Sequence, residues 1–227
     1  MESKLTIPFI YGIGGNPLYT PENSLPSYWC AIGSGADGLA IEVQKTKDNQ
    51  IICWNTQTIE VQNDSNCSIS DMNMNDLSAI DIGQNFNSIT LDNDNQPNGE
   101  FGKDKPWKKS NLKTDDLNIS LLSDVLVLFA RRTNIIIILK DNQLYFLDDL
   151  LELINQFGLA TRVQLLFSYK ILRKIHSKIK KHRTIIKCES KKDLLSFLDE
   201  SIDSYSKRIF FNWENLFIST KNGYKVN

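Results

Sequence analysis

The amino-acid sequence predicts an α/β protein built as a (β/α)8 barrel, and three observations predict it. Short runs that are apolar almost throughout recur along the chain: "LTIPFIY", "GLAIEVQKT", "NIIIILK", "VQLLFS", "TIIKC" and "RIFFNW". Such strands are buried on both faces, as in a parallel sheet covered by helices. Segments with apolar residues at three- and four-residue steps lie between them. The unit recurs often enough to favour a barrel over a doubly wound sheet.

The elements follow in order. "LTIPFIY" leads through "GIGG" to "PENSLPSYWCAIGSG", a helix expected to open at Pro21, near its first turn. "GLAIEVQKT" and "QIICWN" are joined by the polar turn "KDNQ". "NIIIILK" precedes "LYFLDDLLELINQFG", an acidic amphipathic helix stopped by a glycine. "VQLLFS" precedes "YKILRKIHSKIKKHR", where Ile171, Leu172, Ile175 and Ile179 share one face. Its Lys170, Arg173, Lys174, Lys178, Lys180, Lys181 and Arg183 form a solvated basic side, more simply an outer barrel helix than a dock for an acidic partner or an anionic membrane. "TIIKC" leads to "KKDLLSFLDESIDSYSK" and then to "RIFFNW".

Residues 56–117 break this rhythm. One short helix is expected in "NDSNCSISDMNMNDLSAIDIG"; the rest is polar and rich in turn formers. The segment reads as an insertion within a single domain spanning 1–227, too poor in aliphatics to bury a core of its own. Trp107, among lysines, is either an interaction anchor or packs back on the barrel.

Composition narrows the function. Hydrophobic residues make up 41% and charged residues 23%, ordinary for a globular protein, and the net charge of −1 argues against nucleic acid as a partner. No apolar run approaches the roughly 20 residues of a transmembrane helix. The N-terminus lacks the pattern of a signal peptide, and Glu2 disfavours a transit peptide. Cys30, Cys53, Cys67 and Cys188 show no CxxC pairing, so a reducing, intracellular and cytoplasmic setting is expected, with the cysteines as small core residues. The sequons at Asn63, Asn66 and Asn118 then carry no meaning.

"PENS" followed by "GADGLAIEVQKTKDNQI" resembles the glycerophosphodiester phosphodiesterase family. Pro21, Glu22, Asn23, Gly35, Ala36, Asp37, Gly38, Val43, Gln44, Thr46, Lys47 and Asp48 match its pattern in order. The resemblance implies a TIM-type barrel with a long insertion after its third strand. It also implies a final strand reduced here to Tyr224–Asn227, so that the barrel is incomplete at its last strand. The open edge would be covered by a protein partner or a second copy of the chain.

The resemblance further implies two histidines as general acid and base, an arginine on the phosphate and three carboxylates around a divalent cation. At the matching positions this sequence has Gly12 for the first histidine, Ile13 for the arginine, Ala40 and Glu42 for two carboxylates, Trp54 for the second histidine, and Ile138 for the last carboxylate. Asn55 stands where the family has aspartate, and Lys140 is retained. Neither glycine nor tryptophan exchanges protons near neutral pH, and one carboxylate does not cage a hard cation. The two histidines, His176 and His182, lie in the basic segment. The expectation is a protein without catalysis, metal or cofactor.

Strand alternation puts Ala40, Glu42 and Gln44 on one face, with Ile136, Ile138 and Lys140 pointing inward opposite them. Glu42 and Lys140 should therefore pair, the ammonium standing in for the cation, with Trp54 filling space beside them. Tyr11, Glu42, Trp54 and Lys140 form the candidate pocket, and an anionic small ligand is its possible occupant through Lys140 and the "GIGG" N–H groups. The leading functional expectation is an inactive phosphodiesterase-like protein serving as a structural or interaction subunit. Alternatives are a binding module for phosphodiester or lipid head groups, and a phosphodiesterase with a rebuilt centre.

Overall fold

In a computed structural model of the chain, the structure describes residues 9–61, 65–83, 88–91, 97–102, 117–179, 182–188 and 209–211. In chain order the first elements are β1 (Tyr11–Ile13), α1 (Leu25–Gly33), β2 (Gly38–Lys45), β3 (Ile51–Cys53), β4 (Thr58–Val61), β5 (Ser65–Ser68) and α2 (Met74–Ser78). There follow β6 (Ser88–Leu91), β7 (Pro97–Gly102), α3 (Leu122–Phe129), β8 (Asn134–Ile138), α4 (Leu147–Gln156), β9 (Gln164–Ser168), α5 (Tyr169–Ile179), β10 (Arg183–Cys188) and β11 (Ile209–Phe211).

Six strands form a parallel arc in the order β1-β2-β8-β9-β10-β11, so each new parallel strand joins beside the last. That order is the one a (β/α) barrel requires. Among the described residues no pairing joins β1 to β11. The expected closing strand at Tyr224–Asn227 and the anchor Trp107 lie outside the described residues.

The apolar runs are buried on both faces, as their composition predicts. Leu39, Ile41 and Val43 of β2, Ile135 and Ile137 of β8, and Leu165 and Phe167 of β9 meet the helices in the main core. Ala40, Ile136, Leu166 and Ile185 form a separate apolar group on the inner face, with Tyr11 and Ile138 packed against it. Outside, Ile171, Ile175 and Ile179 of α5 are buried as their spacing predicts. Its basic side meets the acidic helix, where Lys178 Nζ lies 2.6 Å from Asp148.

Three expectations need correction. The helix opens at Leu25, not Pro21: Ser24, in extended backbone, caps it by accepting from the Ser27 N–H at 3.2 Å, and Pro26 occupies its first turn. "QIICWN" is not a barrel strand. The turn after β2 is too short for a crossover, so β3 folds back antiparallel, Val43 opposite Cys53. Asn49, with φ 63°, makes that turn. "NIIIILK" is therefore the third parallel strand, and the insertion precedes it.

The insertion also buries a core after all. Ile59, Ile69 and Leu77 pack with Ile52 and Ile119, under the β4–β5 hairpin and α2. The expected short helix is α2, opened by a capping box between Asn73 and Asp76. Its apolar residues stand singly among polar ones, so no periodicity announced the cluster.

Candidate active-site mouth

The segment "GIGGNPLYTPENS" is shaped by backbone requirements before chemistry enters. Gly14 and Gly15 take φ of 64° and 100°, a region that favours glycine. A Cβ on Gly14 would lie 2.3 Å from Glu22 Cγ, so the glycine makes room for that side chain. Asn23, left-handed at φ 63°, donates its N–H to the Gly14 carbonyl at 2.8 Å. Asn and Ser in "PENS" thus build the turn and the helix cap, which leaves Glu22 turned toward the strand ends.

Glu42 projects from β2 near the C-terminal ends of the parallel strands. Lys140, just past β8, reaches it: Nζ lies 2.8 Å from Glu42 Oε1 and donates to the Asn55 carbonyl at 2.6 Å. The ion pair expected from strand alternation is present. The Asn55 amide extends the network by donating to Glu22 Oε2 at 3.4 Å. Burial, and then the charge of Glu42, push the Glu22 carboxyl above its ordinary value. The mouth holds two carboxylates against one ammonium.

Gln143, fully buried, fixes this geometry from below. Its side-chain oxygen accepts from the Lys140 N–H at 2.8 Å, and its amide donates to the Val43 carbonyl at 2.6 Å. The clamp ties the end of β8 to β2 and aims the lysine. Cys53, behind the same strands, is buried in the main core, which pushes its thiol up to about 12.

Two of the expected positions lie elsewhere. Trp54 does not fill the mouth. Alternation along β3 turns it with Ile52 into the insertion's core, where its indole N–H donates to Thr56 Oγ1 at 2.9 Å. Gly12 faces helix α1: a Cβ there would meet Ala31 Cβ at 2.9 Å and the Gly15 carbonyl at 2.7 Å. The inner-face positions of β1 are Tyr11, packed on the inner apolar group, and Ile13, half exposed. Ala40 and Ile138 belong to the inner face as expected.

The "GIGG" N–H groups do not form an open anion cradle. The Gly14 N–H is committed to the Ala40 carbonyl at 3.1 Å, and Glu22 Oε1 crowds the site. Sequence reasoning missed Glu22, Asn55 and Gln143 as site residues. Glu22 and Asn55 sit in loops without periodicity, and Gln143 gave no signal beyond its place three residues after Lys140.

Comparison with known proteins agrees with this architecture. Residues 14–222 match the model of the glycerophosphoryl diester phosphodiesterase family. A curated relative, an uncharacterized protein of Mycoplasma pneumoniae, is 24% identical over 202 residues, covering 86% of this chain and 74% of its own length. Among solved structures, the glycerophosphoryl diester phosphodiesterase domain of an uncharacterized Mycobacterium tuberculosis protein superposes with TM-score 0.61 at 14% identity, over 88% of this chain. A glycerophosphoryl diester phosphodiesterase from Parabacteroides distasonis gives TM-score 0.61 at 20% identity, over 92% of this chain. The chain spans 66% and 64% of those two structures, and it shares their TIM-barrel fold. A parallel arc with its carboxylate at the strand ends, and a family match over most of its length, make this chain a member of the glycerophosphoryl diester phosphodiesterase family.

Proposed function

We propose that this family member is non-catalytic and serves as a structural or interaction subunit of a larger assembly. The observation that carries the reading is the Lys140 ammonium 2.8 Å from Glu42, where the family resemblance implies a divalent cation. The donor set does not fit such an ion. Ala40 and Ile138 offer no side-chain oxygen, and among the described residues no third His, Cys, Asp or Glu side chain joins Glu22 and Glu42 as a metal-holding group. Nor does either histidine stand at the mouth, where the family resemblance implies a general acid and a general base. His176 is on outer helix α5, and His182 precedes β10, at the opposite end of the strands.

The subunit role draws support from apolar side chains around β1. Ile13, Leu18 and Tyr19 are 52%, 49% and 36% exposed, beside a strand that pairs with β2 alone among the described residues. Head-group binding at the mouth is disfavoured by Glu22, which adds a second carboxylate where an anion would enter. Among the described residues no helix is long and apolar enough to cross a membrane.

The test is hydrolysis of glycerophosphocholine with added Mg²⁺ or Ca²⁺, run beside an active family member. The expected rate is that of buffer alone. Turnover that survives repeated purification and disappears in Glu42→Gln would establish a rebuilt centre. Recovery of the native protein with a stoichiometric partner is the expected companion result, and a lone monomer in native extracts counts against the subunit role.

A further inference from the structure

The opposite end of the barrel carries a site that the family match does not address. A hollow of about 490 Å³ lies at the N-terminal edge of the parallel strands. Four arginines line it: Arg131 and Arg132 after α3, Arg162 before β9, and Arg183 at the start of β10. The carboxylate of Asp37 is the one acidic group in its lining, and it already accepts the Ile10 N–H at 2.8 Å. The lining residues therefore carry four guanidinium charges against one carboxylate. Among the described residues none of the four arginines forms an ion pair.

Two of these side chains are held in place by neutral partners. Arg162 Nη1 donates to the carbonyls of Ala130 and Arg131 at 3.4 and 3.3 Å, which leaves its other N–H groups available. The Arg132 guanidinium lies 5.7 Å from the centre of the Trp29 ring. The wall between them is rigid: the Asp37 carbonyl accepts from Thr133 Oγ1 at 2.9 Å and from Asn134 Nδ2 at 3.2 Å. Clustered like charges with only one carboxylate among them repel one another, and a bound anion relieves that cost. Planar guanidinium forks match phosphate oxygens in pairs.

We propose that this hollow is a binding site for a small molecule bearing a di- or triphosphate group. The four arginines and the Asp37 carboxylate carry a net positive charge that a single phosphate of about −2 offsets only in part. The volume falls within the range of about 300–1,000 Å³ typical of small-ligand sites. The hollow is remote from Glu42 and Lys140, at the other end of the same strands, so binding there is independent of the state of the mouth.

The experiment is titration of the full chain with sodium tripolyphosphate, followed by calorimetry and by melting temperature. Saturable binding is expected, weakening as sodium chloride is raised because the contact is electrostatic. Arg131→Ser with Arg183→Ser should weaken it by about tenfold or more, and Lys140→Met should leave it unchanged. If the double variant does not melt cooperatively, Arg131→Ser alone serves, with a loss of about threefold expected because its exposed side chain bonds to nothing described. Lack of saturation at millimolar tripolyphosphate overturns the proposal. So does binding that the arginine variants retain, binding that Lys140→Met abolishes, or binding of an acidic peptide or RNA with tripolyphosphate inert.

Discussion

Glu22 shows how one side chain can carry both a cost and a test. Burial and the Glu42 charge raise its folded-state pKa, so the folded chain holds this proton to higher pH than the unfolded chain does. Its contribution to stability is fully present below the ordinary carboxylate value and is lost as pH rises through the raised one. Glu22→Gln should therefore melt higher than the parent at neutral pH, and the difference should vanish below about pH 4 in a melting series. Gln143 makes the complementary case. Gln143→Leu leaves the Val43 carbonyl and the Lys140 N–H without partners, and chemical denaturation should read a loss of about 2–3 kcal/mol. The Glu42–Lys140 pair was legible in the sequence because strand alternation fixes which residues face inward. Trp54 misled for the same reason: alternation holds on β3, but that strand belongs to a hairpin, and the face it presents is the insertion's.

At the scale of elements, the parallel strands and their covering helices were readable because burial on both faces leaves unbroken apolar runs. Tertiary packing also rescued what composition hid. The insertion's core uses Ile59, Ile69 and Leu77, residues spread through polar sequence, together with Ile52 and Ile119 from its flanks. Leu77 has no exposed surface. Leu77→Ala should cost about 2–4 kcal/mol. Amide hydrogen exchange should show β4 and β5 opening faster, with β2, β8 and β9 little changed. Equal acceleration across the parallel arc would mean that the hairpin lobe and the barrel unfold as one unit. The contact of α4 with α5 is a different matter, since Lys178 and Asp148 are both well exposed and such pairs contribute little.

For the molecule as a whole, His182 is an expected source of acid sensitivity. Burial holds its imidazole below the ordinary histidine value, and both ring nitrogens are enclosed without hydrogen-bond partners among the described residues. The unfolded chain takes up this proton first as pH falls. The stability present above the ordinary histidine pKa is thus lost on acidification. His182→Leu should flatten the dependence of melting temperature on pH between about 5 and 7. Family and barrel class were open to sequence reasoning because glycines, "PENS" and the second strand keep a fixed order. The charge character of the strand ends was not, because Arg131, Arg132, Arg162 and Arg183 are brought together only by the parallel topology.

The lysine clasp has a kinetic corollary. An ammonium that donates to two oxygens, one on β2 and one in the loop between β3 and β4, reacts with an acylating reagent only after it lets go of both. The rate at which Lys140 is labelled, though half its side chain meets solvent, thus becomes a clock for how often the side chain itself lets go of the mouth.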